Sequence, residues 1–328
     1  MRAFEYASPE NREDAVKLLS SKAGETAVLA GGTDLLSLMK DEVVTPARVV
    51  NIKSVEGLGG ISYDAGSGLR IGPLLKLDDL EADSRVRSDY PSLQQAVDGV
   101  RSPQIRTMGT VGGDLCQRPR CWYYRHGFGL LAKWQGKAMV PDGDNRYHAI
   151  LGAGPAYFVN PSSLAPALIA LGARVNILGP KGSRTVDLAS FYRAPSREGE
   201  SENVLAADEI VTDILVPTAA GRKSATYEVR EKEALDWPLA AAAVSLQMSG
   251  STVKEARVVL GHVAPTPWIS KSAGQALKGK PVSPETAMQA GEAAIAGATP
   301  LSRNRYKIQL ARVAVKRAVL RATGMEEV

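Results

Sequence analysis

The sequence predicts an α+β protein: two mixed α/β units, then a smaller unit of antiparallel sheet and helices. Three observations predict it. Short apolar runs bounded by glycine, proline or polar residues alternate with helical segments through the first two thirds of the chain, as strands interleaved with helices do. Paired glycines follow one such run at Gly31-Gly32 and recur at Gly112-Gly113. The interval from Pro217 to Lys223 is rich in proline, glycine and polar residues, and three longer β-patterned runs and two helices follow it. That interval is the best domain boundary, so the units run over 1–54, 55–220 and 221–328.

Phe4-Glu5-Tyr6 is the first strand. Ser8 then caps a helix with Pro9 at its first position, where proline loses no hydrogen bond. Val16, Leu18 and Leu19 supply its apolar contacts. Thr26-Ala27-Val28-Leu29 reads as a buried strand, and Leu35 to Met39 as a helix preceded by the N-cap residue types Thr33 and Asp34. Arg48 to Ile52 is another short buried strand. Ser62-Tyr63 and Leu69-Arg70-Ile71 are the arms of a hairpin around Asp64-Ala65-Gly66-Ser67-Gly68. Helical stretches open at Leu77 and Pro91. Ser162 to Leu171 is a helix ending at Gly172, suited to a left-handed C-terminal cap. Ala173 to Leu178 and Arg184 to Val186 are strands around a glycine turn, and Glu209 to Val216 is a strand closed by Pro217. Beyond the boundary, Ala225 to Arg230, Leu239 to Met248 and Thr252 to Val263 read as a three-stranded antiparallel sheet. The middle run is alanine-rich and helical by propensity, but its flanks favour a strand. Ser283 to Ile295 and Arg303 to Thr323 are helices, the last with Ile308, Ala311, Val315 and Ala318 on one face.

The chain has 328 residues, 44% hydrophobic and 23% charged, an ordinary globular composition. No apolar run reaches the ~18 residues of a membrane span, and the N-terminus lacks an apolar signal core. Two cysteines in this length fit a reducing cytoplasm rather than a disulfide framework. The net charge of +5 comes from scattered lysines and arginines, and aromatics are only 5%. This argues against nucleic-acid binding. No H-E-x-x-H or G-x-S-x-G motif is present, and His126, His148 and His262 lie far apart and read as structural.

The first glycine stretch is Ala30-Gly31-Gly32-Thr33-Asp34-Leu35. Strand, glycine turn and helix start together aim free N–H groups at one spot, which suits a phosphate or pyrophosphate. Ordinary strand-to-helix turns share the pattern. The second stretch, Thr107-Met108-Gly109-Thr110-Val111-Gly112-Gly113-Asp114-Leu115-Cys116, repeats it about eighty residues later. Neither is a G-x-G-x-x-G fingerprint or a Walker loop.

These two stretches resemble the A-G-G-T-[DN]-L and T-[IV]-G-G-[ND] loops of the FAD-binding medium subunits of molybdenum hydroxylases. Xanthine dehydrogenase, carbon monoxide dehydrogenase and aldehyde oxidoreductases belong to that family. The resemblance runs through nearly the whole chain, including Glu231 to Leu239 and the closing Thr299-Pro300-Leu301-Ser302. It implies the two-lobed FAD fold shared with vanillyl-alcohol oxidase, extended by the C-terminal α+β unit. It implies FAD at Val28, Leu29, Ala30, Gly31, Gly32, Thr33, Asp34 and Leu35, and at Gly109, Thr110, Gly112, Gly113, Asp114 and Cys116. Val100, Arg101 and Arg106 lie on the approach to the second loop. Ser162 matches a family ligand, Tyr192 a residue near the flavin ring, and Ile210 an apolar contact to adenine. Two departures are Ser163, where the family has an aspartate, and Glu228, where relatives often have lysine two before Arg230. Neither loop contains histidine and Cys116 falls past the second, so the flavin is expected to be non-covalent.

Residues 116–150 resemble a branch with an inserted loop whose four cysteines hold a [4Fe–4S] cluster. Only Cys116 and Cys121 are present here, so the loop reads as retained and the cluster as lost. Zinc on Cys116, Cys121, His126 and His148 is an alternative without a standard spacing. The resemblance further implies a small iron–sulfur partner with two [2Fe–2S] clusters and a large partner with the molybdopterin cofactor. The FAD would pass electrons from those clusters to NAD⁺, quinone, oxygen or another acceptor. The alternatives are a scaffold subunit with weakened flavin binding and an independent FAD-dependent reductase, for which no substrate acid or base is evident.

Overall fold

The computed structural model describes residues 1–232 and 236–325. The first unit contains β1 (Glu5–Ala7), α1 (Arg12–Lys17), β2 (Thr26–Leu29), α2 (Leu35–Lys40) and β3 (Arg48–Asn51), its strands forming a parallel sheet in the order β1-β3-β2. The first helix begins later than expected. Asn11 caps α1 by accepting from the Asp14 N–H at 2.8 Å, while the Ser8 hydroxyl accepts from Asn51 at 3.1 Å and so ties the chain to the end of β3. Val16 and Leu19 pack with Val50, Ile52, Leu58 and Ile210 in a small core.

The second unit begins with the hairpin β4 (Ile61–Asp64) and β5 (Gly68–Ile71). Five helices follow: α3 (Leu77–Ala82), α4 (Ser84–Asp89), α5 (Pro91–Asp98), α6 (Pro103–Met108) and α7 (Val111–Cys116). The inserted segment carries a single turn, α8 (Trp122–Arg125), and a tiny hairpin of β6 (Lys133–Trp134) and β7 (Lys137–Ala138). Then come α9 (Ala165–Leu171), β8 (Arg174–Gly179), β9 (Gly182–Asp187) and β10 (Ile210–Val216). The sheet order is β4-β5-β10-β8-β9, antiparallel throughout. Gly172 ends α9 with φ +82°, the left-handed cap anticipated from sequence.

The third unit is β11 (Lys223–Val229), β12 (Ala240–Ser249), β13 (Thr252–Gly261), β14 (Trp268–Ile269), α10 (Lys271–Leu277), α11 (Pro284–Ile295) and α12 (Tyr306–Ala322). Its sheet has a fourth strand that the sequence reading lacked: β14 is two residues long, too short to show periodicity. β12 is buried on both faces. Ala243 packs into the core of the second unit beside α9, while Ala242 and Val244 pack against the C-terminal helices. Small side chains let helices close on each side, which is why a helix-prone composition forms a strand here. Among the described residues no helix is long and apolar enough to cross a membrane.

Candidate functional site

The glycine turn after β2 leaves its amides unspent. No acceptor among the described residues takes the N–H groups of Gly31, Gly32, Thr33, Asp34 or Leu35. Gly32 has φ +75°, which bends the chain so that successive amides face one way. Asp34 holds the N-cap position of α2, but its side chain makes no capping bond. Its carboxylate instead accepts from the Arg118 N–H at 2.7 Å and from Arg125 Nη2 at 2.8 Å, and pairs with Arg120 Nη1 at 3.2 Å. The expected cap is therefore overridden by cations from the inserted segment, and the turn stays open to a ligand.

The second stretch works differently. Thr110 caps α7, its hydroxyl accepting from the Gly113 N–H at 3.1 Å. The N–H groups of Val111, Gly112 and Asp114 donate to Leu75, Pro73 and Thr110 carbonyls. These amides are spent, so this stretch contributes close approach rather than a nest. A methyl group on Gly31 would lie 2.0 Å from the Met108 carbonyl oxygen, and one on Gly112 would lie 2.6 Å from Pro73 Cβ. Asp114 is buried and turned inward. It accepts from the Ser162 hydroxyl at 2.5 Å and from the Leu164 and Ser163 N–H groups at 3.0 and 3.2 Å, satisfying the start of α9. Burial raises its pKa, opposed by those hydrogen bonds.

The two turns meet at the waist of a cleft with two chambers. One, of about 1360 Å³, lies between the end of β2, the first turn, Cys116 to Arg118 and the segment around Asn203 and Leu205. The other, of about 860 Å³, is walled by Val100, Arg101, Ile105, Arg230 and Trp237. Thr33, Asp34, Thr110, Gly113 and Gln117 belong to both walls.

Of the residues singled out in the sequence, Val28, Ala30, Gly31, Gly32, Thr33, Asp34, Leu35, Thr110, Gly113 and Cys116 line the first chamber. Val100, Arg101, Gly109 and Asp114 line the second, as does Ser163. Leu29 and Gly112 line neither chamber. Arg106 is turned to Asp78 and Glu81, at 3.1 and 2.9 Å. Ser162 is buried against Asp114. Tyr192 is a core residue whose hydroxyl donates to the Leu115 carbonyl at 3.0 Å, and Ile210 is buried in the small first core. Sequence reasoning missed Gln117, Arg120 and Trp237. A cluster of arginines just past the second glycine pair was the available signal. Arg120 stacks over the Trp237 ring at 4.6 Å. Arg230 contacts the Glu228 carboxylate and the Gly99 carbonyl, and burial pushes Glu228 up to about 7.

The four residues weighed for zinc do not converge. Cys116 lines the first chamber, and His126 is exposed with its Nδ1 on the Trp122 carbonyl at 2.7 Å. Cys121 and His148 do meet, Sγ to Nε2 at 3.1 Å. No three His, Cys, Asp or Glu residues among those described are grouped to hold a metal.

A long cleft with a free-amide turn at its waist defines a dinucleotide-binding chain. Residues 2–219 match the FAD binding domain in molybdopterin dehydrogenase, and residues 225–322 match the CO dehydrogenase flavoprotein C-terminal domain. The chain is 32% identical over 316 residues to the aldehyde oxidoreductase FAD-binding subunit PaoB of Escherichia coli strain K12, covering 95% of this chain and 96% of that one. It is 30% identical over 321 residues to the carbon monoxide dehydrogenase medium chain of Hydrogenophaga pseudoflava, covering 96% of each. A solved carbon monoxide dehydrogenase structure from Hydrogenophaga pseudoflava superposes with a TM-score of 0.77 at 29% identity over 99% of both chains. The chain belongs to the FAD-binding subunits of the molybdenum hydroxylases, and is thus the flavoprotein part of an oxidoreductase.

Proposed function

We propose that this chain holds FAD non-covalently along the two-chamber cleft and relays electrons from [2Fe–2S] clusters of a small partner subunit to an acceptor: NAD⁺, a quinone, oxygen or another oxidant. A large partner subunit would carry the molybdopterin cofactor and oxidise the substrate. The observation that carries this reading is the row of unspent amides from Gly31 to Leu35, set at the waist where both chambers join. Those amides and the Thr33 hydroxyl would take the pyrophosphate. Gly31 lets the second turn close over it, and Asp34 holds Arg118, Arg120 and Arg125 around that end of the cleft. Val100, Arg101 and Ile105 would wall the ring system. Bound FAD supplies the redox chemistry, taking up one or two electrons at a time. The protein's share is to bind it, orient it and limit water around it.

Domain limits of 1–54, 55–220 and 221–328 belong to this reading, supported by three hydrophobic cores, each drawn mainly from one unit. So does a cytoplasmic location, supported by two free cysteines. Two thiols cannot furnish the four of a [4Fe–4S] cluster. The scaffold alternative draws on Glu228, which sits against Arg230, an arginine lining the second chamber. A visible spectrum of the purified chain, before and after acid precipitation, separates the two. Flavin bands that pass to the supernatant support non-covalent FAD. A colourless protein that also fails to take up added FAD supports the scaffold.

A further inference from the structure

The inserted segment carries a knob that the cleft does not use. β6 and β7 are joined by Gln135 and Gly136, left-handed at φ +49° and +78°, the tight two-residue turn of a hairpin. Trp134 stands beside that turn with 61% of its surface exposed, more than any other large hydrophobic residue among those described. Phe128 meets its ring edge-on at 5.9 Å and steadies it. The base of the hairpin is anchored: Leu131 and Ala132 are buried, and the Met139 N–H donates to the Ala132 carbonyl at 2.9 Å. An indole held out on a rigid turn loses little freedom when it binds, and tryptophan is among the strongest anchors of protein interfaces.

The charge around the knob has one sign. From Leu115 to Pro141 the chain carries Arg118, Arg120, Arg125, Lys133 and Lys137, and no aspartate or glutamate. The three arginines are consumed inside the protein, on Asp34 and Glu202. The two lysines flank Trp134, and neither ammonium has an ion pair or hydrogen bond among the described residues. Lys137 lies directly opposite Trp134 across the hairpin, so indole and ammonium share a face. A surface that meets this knob has to bring apolar area for the ring and carboxylates for the lysines. A second copy of this chain fits poorly, because a net charge of +5 makes copies repel. A bilayer takes up a broad apolar stripe, whereas this turn offers one indole between two lysines.

We propose that the Trp134 hairpin docks a partner subunit of the same complex, seated in an apolar pocket of that subunit rimmed by aspartate or glutamate side chains. The indole fills the pocket, and Lys133 and Lys137 pair with the rim. The rim pairs steer the encounter and fix its orientation, while the desolvated indole supplies most of the hold. The inference rests on the multisubunit relay proposed above and deepens it by naming the surface that joins this chain to its neighbour. The hairpin belongs to the segment whose arginines gather on Asp34, so the partner grips the part of the chain that borders the flavin cleft.

The test compares the free chain with the complex isolated from cells that make this chain together with its partner subunits. Iron, molybdenum and FAD are assayed in both. Hydroxyl-radical footprinting with mass spectrometry reads Trp134, and a carbodiimide, which joins amines to carboxylates in contact, reads the lysines. Trp134 should oxidise readily in the free chain and about tenfold more slowly in the complex. Lys133 or Lys137 should cross-link to an aspartate or glutamate of another subunit. Trp134→Ala, and separately Lys133→Glu combined with Lys137→Glu, should each cut recovery of the complex about tenfold with FAD content unchanged. Equal reactivity of Trp134 in the two states, cross-links confined to a second copy of this chain, or full recovery with both variants would overturn the proposal. So would protection of Trp134 that only phosphatidylglycerol vesicles confer. A wild-type chain that isolates alone with its FAD defeats the proposed partners and this docking surface together. A complex that contains iron and molybdenum but leaves Trp134 open defeats this inference alone.

Discussion

At the scale of single residues, the cleft depends on a contact that no local pattern announces. Gly31 is legible in the sequence as half of a glycine pair, but the reason for it is the Met108 carbonyl, which arrives from 77 residues further on. Gly31→Ala should therefore empty the site, cutting bound FAD to about a tenth or less, and destabilise the fold by ~1–3 kcal/mol as the two turns are forced apart. The flavin-to-protein ratio after gel filtration and a urea titration check both parts. Gly113→Ala meets only the Thr110 hydroxyl at 3.0 Å and should keep most of its flavin. The histidines give a pH signature. Burial drives His262 to about 3 and His148 to about 4, against 6.5 for a free imidazole. Between those values and 6.5 the unfolded chain binds the extra protons, so stability present at neutral pH is lost as pH falls through that window. His262→Asn removes its part, so the gap in Tm between wild type and variant should narrow as the pH is lowered from about 7 to about 4.5. Glu228, raised by burial, titrates the other way in both proteins and cancels from the difference.

Elements show where sequence reading succeeded and where tertiary contacts overrode it. The parallel strands of the first unit, the 61–71 hairpin and the glycine-capped α9 were readable because periodicity and turn residues are local. The cap of α1 was misplaced because Ser8 is drawn to Asn51, a partner distant in sequence. The cap of α2 was misread because Asp34 answers three arginines of the inserted segment rather than its own helix. Those arginines were invisible as site residues for the same reason. Asp34→Asn should weaken FAD retention while leaving far-UV circular dichroism unchanged, since α2 never relied on that carboxylate for its cap. α12 has a role beyond its apolar face. Lys307, in its first turn, is 1% exposed and makes three bonds to backbone carbonyls of two other segments. Lys307→Met would strand those carbonyls, at a cost of about 2 kcal/mol or more, read as a lowered urea midpoint.

For the whole molecule, the cleft is a joint product of units far apart in sequence: the first turn, the second turn with its inserted segment, and Arg230 and Trp237 from the third unit. A ligand seated there stabilises all of them together. Saturating FAD at about a hundred times its Kd should add ~2.7 kcal/mol and raise Tm in a single transition. Two transitions, only one of them moving with FAD, would show that the third unit is not coupled to the site. The lock on the inserted segment carries a consequence for biosynthesis. Asn145, Asn304 and Lys307 are all nearly inaccessible. Asn145 bonds to Ser302 and to the Arg303 N–H, and Asn304 to the carbonyls of His148 and Ala149. The segment that brings Arg118, Arg120 and Arg125 to Asp34 is thus fastened by residues more than 150 positions further along the chain. A ribosome must translate past Lys307 before that fastening exists. Flavin loading is then a late event: nascent chains stalled before Asn304 should emerge without cofactor, and chains extended past Lys307 should emerge coloured.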